Sequence, residues 1–98
     1  FEAHVELTQW LDEAENQAEM IQTPAVYPEQ IKRQQHQVKV LLQSVAEHKP
    51  LVDKLNKAGS ALLKLIPEEH CRQMRKIIDS DNQRYNDLRN FLSQFLVI

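Results

Sequence analysis

Apolar residues recur along this chain in three stretches, each with the spacing of a helix. In the first, Ala3, Leu7, Trp10, Leu11, Ala14, Ala18 and Ile21 advance by threes and fours, which places them on one face while the acids fall on the other. In the second, Ile31, Val38, Val45, Val52 and Gly59 follow one another at every seventh position, with Gln34, Leu41, His48, Leu55 and Leu62 three places behind. The third repeats the device with Cys71, Ile78, Tyr85 and Leu92 set against Met74, Asp81, Leu88 and Phe95. Such heptads are the pattern of coiled-coil packing, and three stripes of this kind bury themselves only against one another. The expectation is an all-α, antiparallel three-helix bundle with left-handed coiled-coil packing, its helices at about residues 1–22, 29–63 and 68–96, in a single domain. Trp10, Leu11, Leu41, Val45, His48, Val52, Leu55, Ile78, Asp81, Tyr85 and Leu88 are its expected core and structural residues.

Proline supplies the punctuation. Pro24 and Pro28 cannot both lie inside one regular helix, so Thr23–Pro28 is expected to be a loop. Pro28-Glu29 and Pro67-Glu68 read as helix starts, because proline suits the first helical position and a carboxylate in the first turn complements the dipole. Pro50 breaks the rule: it removes the hydrogen bond to Ala46 and costs about 3 kcal/mol inside a straight helix. Since the heptad stays in phase from Val45 through Val52 and Leu55, the spacing predicts one kinked helix rather than two.

Composition and charge narrow the functional classes. At 98 residues the chain has room for one core and none for a cofactor domain beside a substrate domain. A single glycine is far too few for the turns of a sheet protein. A net charge of -2 offers no basic field for nucleic acid, and no apolar run is long enough to insert in a membrane. With one cysteine and no recognisable leader, the chain reads as intracellular. Charge is unevenly shared: residues 1–23 hold six acids and no Lys or Arg, whereas residues 24–66 hold seven Lys and Arg against three acids. An acidic first helix is therefore expected to dock beside a basic second one, steering partner choice more than adding stability.

Few residues invite sharper chemistry. If the last two helices fold back about Lys64 and Leu65, then Leu55 meets Met74, Val52 meets Ile78, Val45 meets Tyr85 and His48 faces Asp81. A His48–Asp81 hydrogen bond would fix helix register, and with His4 at the same level two imidazoles and a carboxylate could begin a metal site, although no fourth ligand is evident. Cys71 beside His70 is not a nucleophile and base, because adjacent helical residues point about 100° apart. No residue is assigned a catalytic, cofactor-binding or metal role, and no small-molecule substrate is implied.

Several strings nonetheless carry a resemblance. Trp10-Leu11 in the first helix, His48-Lys49-Pro50-Leu51-Val52 with Leu55-Asn56 and Gly59 in the second, and Arg84-Tyr85-Asn86-Asp87-Leu88 in the third together resemble a spectrin repeat over the whole chain. Tyr85 stands where that family usually has a second tryptophan. The segment from His48 to Lys57 and the string Ser80-Asp81-Asn82-Gln83-Arg84-Tyr85 look most like plakin-type linkers, the spectraplakins especially, with dystrophin-like and nesprin-like rods as alternatives. The resemblance implies one repeat of a tandem array in a large cytoplasmic, cytoskeleton-associated protein that ties actin to microtubules, intermediate filaments or a membrane anchor. Two roles are then expected of it. One is a structural spacer whose partners are neighbouring repeats in the same chain. The other is a docking module for a cytoskeletal protein, with Val40, Leu51 and the tail Leu96-Val97-Ile98 as exposed anchors.

Overall fold

The computed structural model describes residues 1–21 and 26–96. Part of the expected Thr23–Pro28 loop, and Val97 and Ile98 of the apolar tail, lie outside the described residues. Four α-helices follow in order: α1 (Glu2–Glu19), α2 (Pro28–Glu47), α3 (Lys49–Leu63) and α4 (Glu68–Ser93), the last closing in a short 3₁₀ turn at Gln94–Leu96. They pack as three layers, because α2 and α3 continue one another, and the bundle measures 56 × 21 × 20 Å. No strand occurs among the described residues, and no helix there is long and apolar enough to cross a membrane.

The helix starts follow from proline geometry. Pro28 occupies the first turn of α2 behind Tyr27, whose extended backbone (φ -97, ψ 144) ends the preceding segment. Pro67 is the N-cap of α4, extended at φ -58 and ψ 148, rather than its first helical residue, and the helix begins at Glu68. Glu68 and Glu69 then place their carboxylates in the first turn, where the free amides concentrate positive potential.

The single kinked helix expected over 29–63 is instead two helices that meet at His48. Pro50 has no N–H to offer Ala46, so the ladder tightens one residue early. The His48 amide donates to both Ser44 O (3.1 Å) and Val45 O (3.2 Å), and the His48 carbonyl accepts from Leu51 and Val52. His48 itself sits at φ -92 and ψ 0, away from regular helical values. The apolar seam survives the break: Val45 on one side and Val52 on the other are both 3% exposed.

Leu7, Leu11, Val38, Leu55 and Leu92 form the most deeply buried part of the core, with Ala3, Ala14 and Ala18 completing the α1 stripe. Leu41, Tyr85 and Leu88 belong to the same cluster, and Ile78 is buried beside it. Gly59 is needed for close approach, since a Cβ there would lie 2.4 Å from Ile78 Cδ1 and 3.1 Å from Ile78 Cγ1. Between α3 and α4 that contact also corrects the expected register, although the expected meeting of Val45 with Tyr85 is found, the Tyr85 hydroxyl donating to the Val45 carbonyl. Ile78 meets Gly59 rather than Val52, and the Asn56 and Asn82 amides pair reciprocally at 3.0 and 2.8 Å. The reason lies in the hairpin: after Leu63 the chain winds on, with Lys64, Leu65 and Ile66 amides bonded back to Ala61 and Leu62, and reverses near Pro67 instead of Lys64–Leu65.

Candidate functional site

Two features stand apart from the regular seam: a polar and aromatic brace around the His48 break, and an open groove between α1 and α2. In the brace, the Trp10 indole from α1 lies flat on the His48 ring, with centroids 4.1 Å apart and planes 11° from parallel. Its Nε1–H donates to Ser44 Oγ at 2.9 Å, and His48 Nδ1 donates to the Ser44 carbonyl at 2.7 Å. From α4, the Tyr85 hydroxyl donates to the Val45 carbonyl at 2.6 Å in a fully buried setting. All three layers thus hold the backbone where proline has weakened it. Burial raises the Tyr85 phenol above its ordinary pKa, because the charged phenolate would lose its hydration there.

Asp81 is 2% exposed, and its partner is not His48 but His4, whose Nδ1 donates to Asp81 Oδ2. The shifted hairpin explains this, since it lifts Asp81 away from His48 and toward the start of α1. His4, His48 and Asp81 therefore do not converge, and among the described residues no three His, Cys, Asp or Glu side chains are grouped to hold a metal. Cys71 is buried with its Sγ 3.5 Å from the Leu63 carbonyl and 3.9 Å from that of Ile66. The acids of α1 also find a different partner from the one charge alone suggests. Arg84 of α4, not the basic α2, bonds Glu15 at 3.1 and 2.7 Å and Asp12 at 2.7 Å. The Glu15 hydrogen bond chiefly raises the Arg84 pKa above its ordinary value, with burial opposing it.

The groove runs from Trp10 along α1 to Ile21 in the turn past its end, and from Ser44 to His36 along α2, as two clefts of about 340 and 220 Å³ that share Gln17, Val40 and Leu41. Of the expected anchors, Val40 stands on its rim at 52% exposure, and Leu96, also exposed, lies apart from it in the 3₁₀ turn after α4. Leu51 does not join Val40, being partly buried against the core, so these residues form no common patch. Met20, 88% exposed, is the second rim residue. Sequence reasoning missed it because a helix running to residue 22 gave Met20 no reason to differ from its polar neighbours. Ser44 and the Asn56–Asn82 pair were also missed. Their signal was a small polar residue or an amide flanking the seam on facing helices.

No protein-family model matches the chain, and no solved structure matches it. Over 69 residues, or 70% of its length, it is 41% identical to Microtubule-actin cross-linking factor 1, isoforms 6/7, of Homo sapiens. The same identity over the same share relates it to Microtubule-actin cross-linking factor 1 of Rattus norvegicus and to isoforms 6/7 of Mus musculus. The chain spans only about 2% of the length of the human and mouse relatives and 1% of the rat one. Three packed helical layers, with this identity to a spectraplakin across most of the chain, make it a spectrin-like repeat of the spectraplakin family.

Proposed function

We propose that this repeat is a structural spacer in the rod of a large cytoskeletal linker, setting distance and elasticity between filament-binding domains. The shape carries the reading: a bundle 56 Å long and about 20 Å wide buries an apolar seam between its helices, with Leu7, Leu11, Val38, Leu55 and Leu92 at its centre. Its partners are neighbouring repeats in the same chain and, through the whole protein, the cytoskeleton. The relatives are named for cross-linking microtubules and actin, which supports a cytoplasmic, filament-associated setting. The role is not catalytic, in keeping with a Cys71 thiol closed under two carbonyls and a His70 left exposed.

Co-sedimentation with actin filaments and with microtubules, each across a salt series, tests it. A spacer stays in the supernatant with both. Saturable pelleting that survives moderate salt contradicts the reading and favours a docking module, for which the exposed Val40 and Met20 on the α1/α2 groove are the supporting observation.

A further inference from the structure

The two helices that share the middle layer are held with unequal firmness. α3 is locked to α4 by the close contact of Gly59 with Ile78 and by the reciprocal Asn56–Asn82 pair, and its Leu55 is fully buried. α2 has less to hold it. Residues 28–37, its first half, bury no side chain completely, and the buried ones that follow are Val38, Leu41 and Val45. Along α1 it leaves the clefts of about 340 and 220 Å³, so those two helices are not sealed against each other. Backbone hydrogen bonding passes from α2 to α3 through His48, whose amide closes α2 and whose carbonyl opens α3. Pro50 can add no bond to Ala46 across the break.

We propose that α2 is a strap that opens as one unit about His48 while α1, α3 and α4 stay packed. The brace is its latch. Tyr85 bonded to Val45 and Trp10 bonded to Ser44 grip the last turn of α2 from α4 and from α1, so the opening breaks both. The bond from Gln34 Nε2 to the Ile21 carbonyl, 3.1 Å long, goes with them. The contacts that join the other three helices are outside this set: His4 with Asp81, Arg84 with Glu15 and Asp12, Asn56 with Asn82, and Gly59 with Ile78. Part of a fold opens by itself when it can lose its own contacts and leave those of the rest intact. Burial of Val38, Leu41 and Val45 keeps the closed state dominant, because opening returns their apolar surface to water. Such an opening is a property of the chain by itself, whether or not the chain acts as a spacer.

The test is native-state amide hydrogen exchange of the 98-residue chain, ¹⁵N-labelled and followed by NMR at low urea concentrations. Corrected for intrinsic rates, the amides of residues 39–43 in α2 should exchange together, about tenfold or more faster than those of residues 54–58 in α3. Tyr85→Phe should speed exchange in α2 by about fivefold or more, since the opening breaks that bond. Gly59→Ala should speed exchange in α3 by about fivefold and leave α2 unchanged, because the Gly59–Ile78 contact outlasts the opening. Pro50→Ala, at an exposed position, restores the missing N–H and should slow exchange in α2 toward the rate of α3. Equal protection of α2 and α3 overturns the proposal. So does acceleration of both helices alike by Gly59→Ala, which would mean that the bundle opens only as a whole. Exchange in α2 that ignores Tyr85→Phe or Pro50→Ala also overturns it, since the latch or the hinge would then lie elsewhere.

Discussion

Removing one oxygen atom by Tyr85→Phe isolates the contribution of the brace. The ring stays in place, at 3% exposure between Trp10 and the core, so little packing is lost. What disappears is the 2.6 Å hydrogen bond to the Val45 carbonyl. Val45 then keeps only the His48 amide at 3.2 Å, which it already shares with Ser44. Leaving a buried acceptor under-satisfied costs about 1 to 2 kcal/mol. In a domain of this size that lowers Tm by about 5 to 15 °C. The matched control is Tyr27→Phe at a position 67% exposed, where the change should stay within about 0.5 kcal/mol. The same substitution has a signature in alkali. Because burial raises the Tyr85 pKa in the folded state, the folded chain holds that proton more tightly than the unfolded one. Its stability contribution is complete below the unfolded phenol value of about 10 and is lost as pH rises from there through the folded value. Tyr85→Phe should flatten that part of the decline. Thermal melts by circular dichroism from pH 7 to 11 read both effects, and a variant that melts within about 1 °C of the parent at pH 7 would refute the brace.

Three further outcomes are expected. Gly59→Ala should destabilise the chain by about 1 kcal/mol, because crowding against Ile78 outweighs the gain in helix propensity, and should become neutral or stabilising with Ile78→Val; a urea double-mutant cycle measures this. His4→Leu should cost about 3 kcal/mol by leaving buried Asp81 without its partner, and His4 and Asp81 should couple in a cycle whereas His48 and Asp81 should not. Arg84→Met should cost about 0.5 to 1 kcal/mol, since Asp12 and Glu15 are both partly in solvent, and the difference in urea midpoint should shrink in 1 M salt.

The fold class is legible in the sequence because the heptad is a one-dimensional property. Positions such as Val38, Val45 and Val52 repeat at an interval that no strand or loop would keep, and three such stripes have few ways to hide. What could not be read depends on where chains meet. A few residues of extra winding after Leu63 move Ile78 from Val52 to Gly59 and take Asp81 out of reach of His48. Regional charge totals likewise pointed the acids of α1 toward α2, but the guanidinium that reaches them belongs to Arg84, in a segment of balanced charge. The Pro50 interruption was visible as a cost, yet whether a helix bends or stops there depends on the capture of Ser44 and Val45 carbonyls by groups from His48 and Tyr85. Leu51 lies off the main stripe in a straight helix and was therefore expected outside, whereas the break at His48 lets it pack against the core.

The central claim is that this bundle adds length to a rod, and small-angle X-ray scattering of two copies fused in tandem tests it most directly. The account predicts that the largest dimension grows by roughly one bundle length, 56 Å, at an unchanged cross-section. A largest dimension equal to that of the single chain, with a doubled cross-section, would mean that the copies pack side by side and would contradict it.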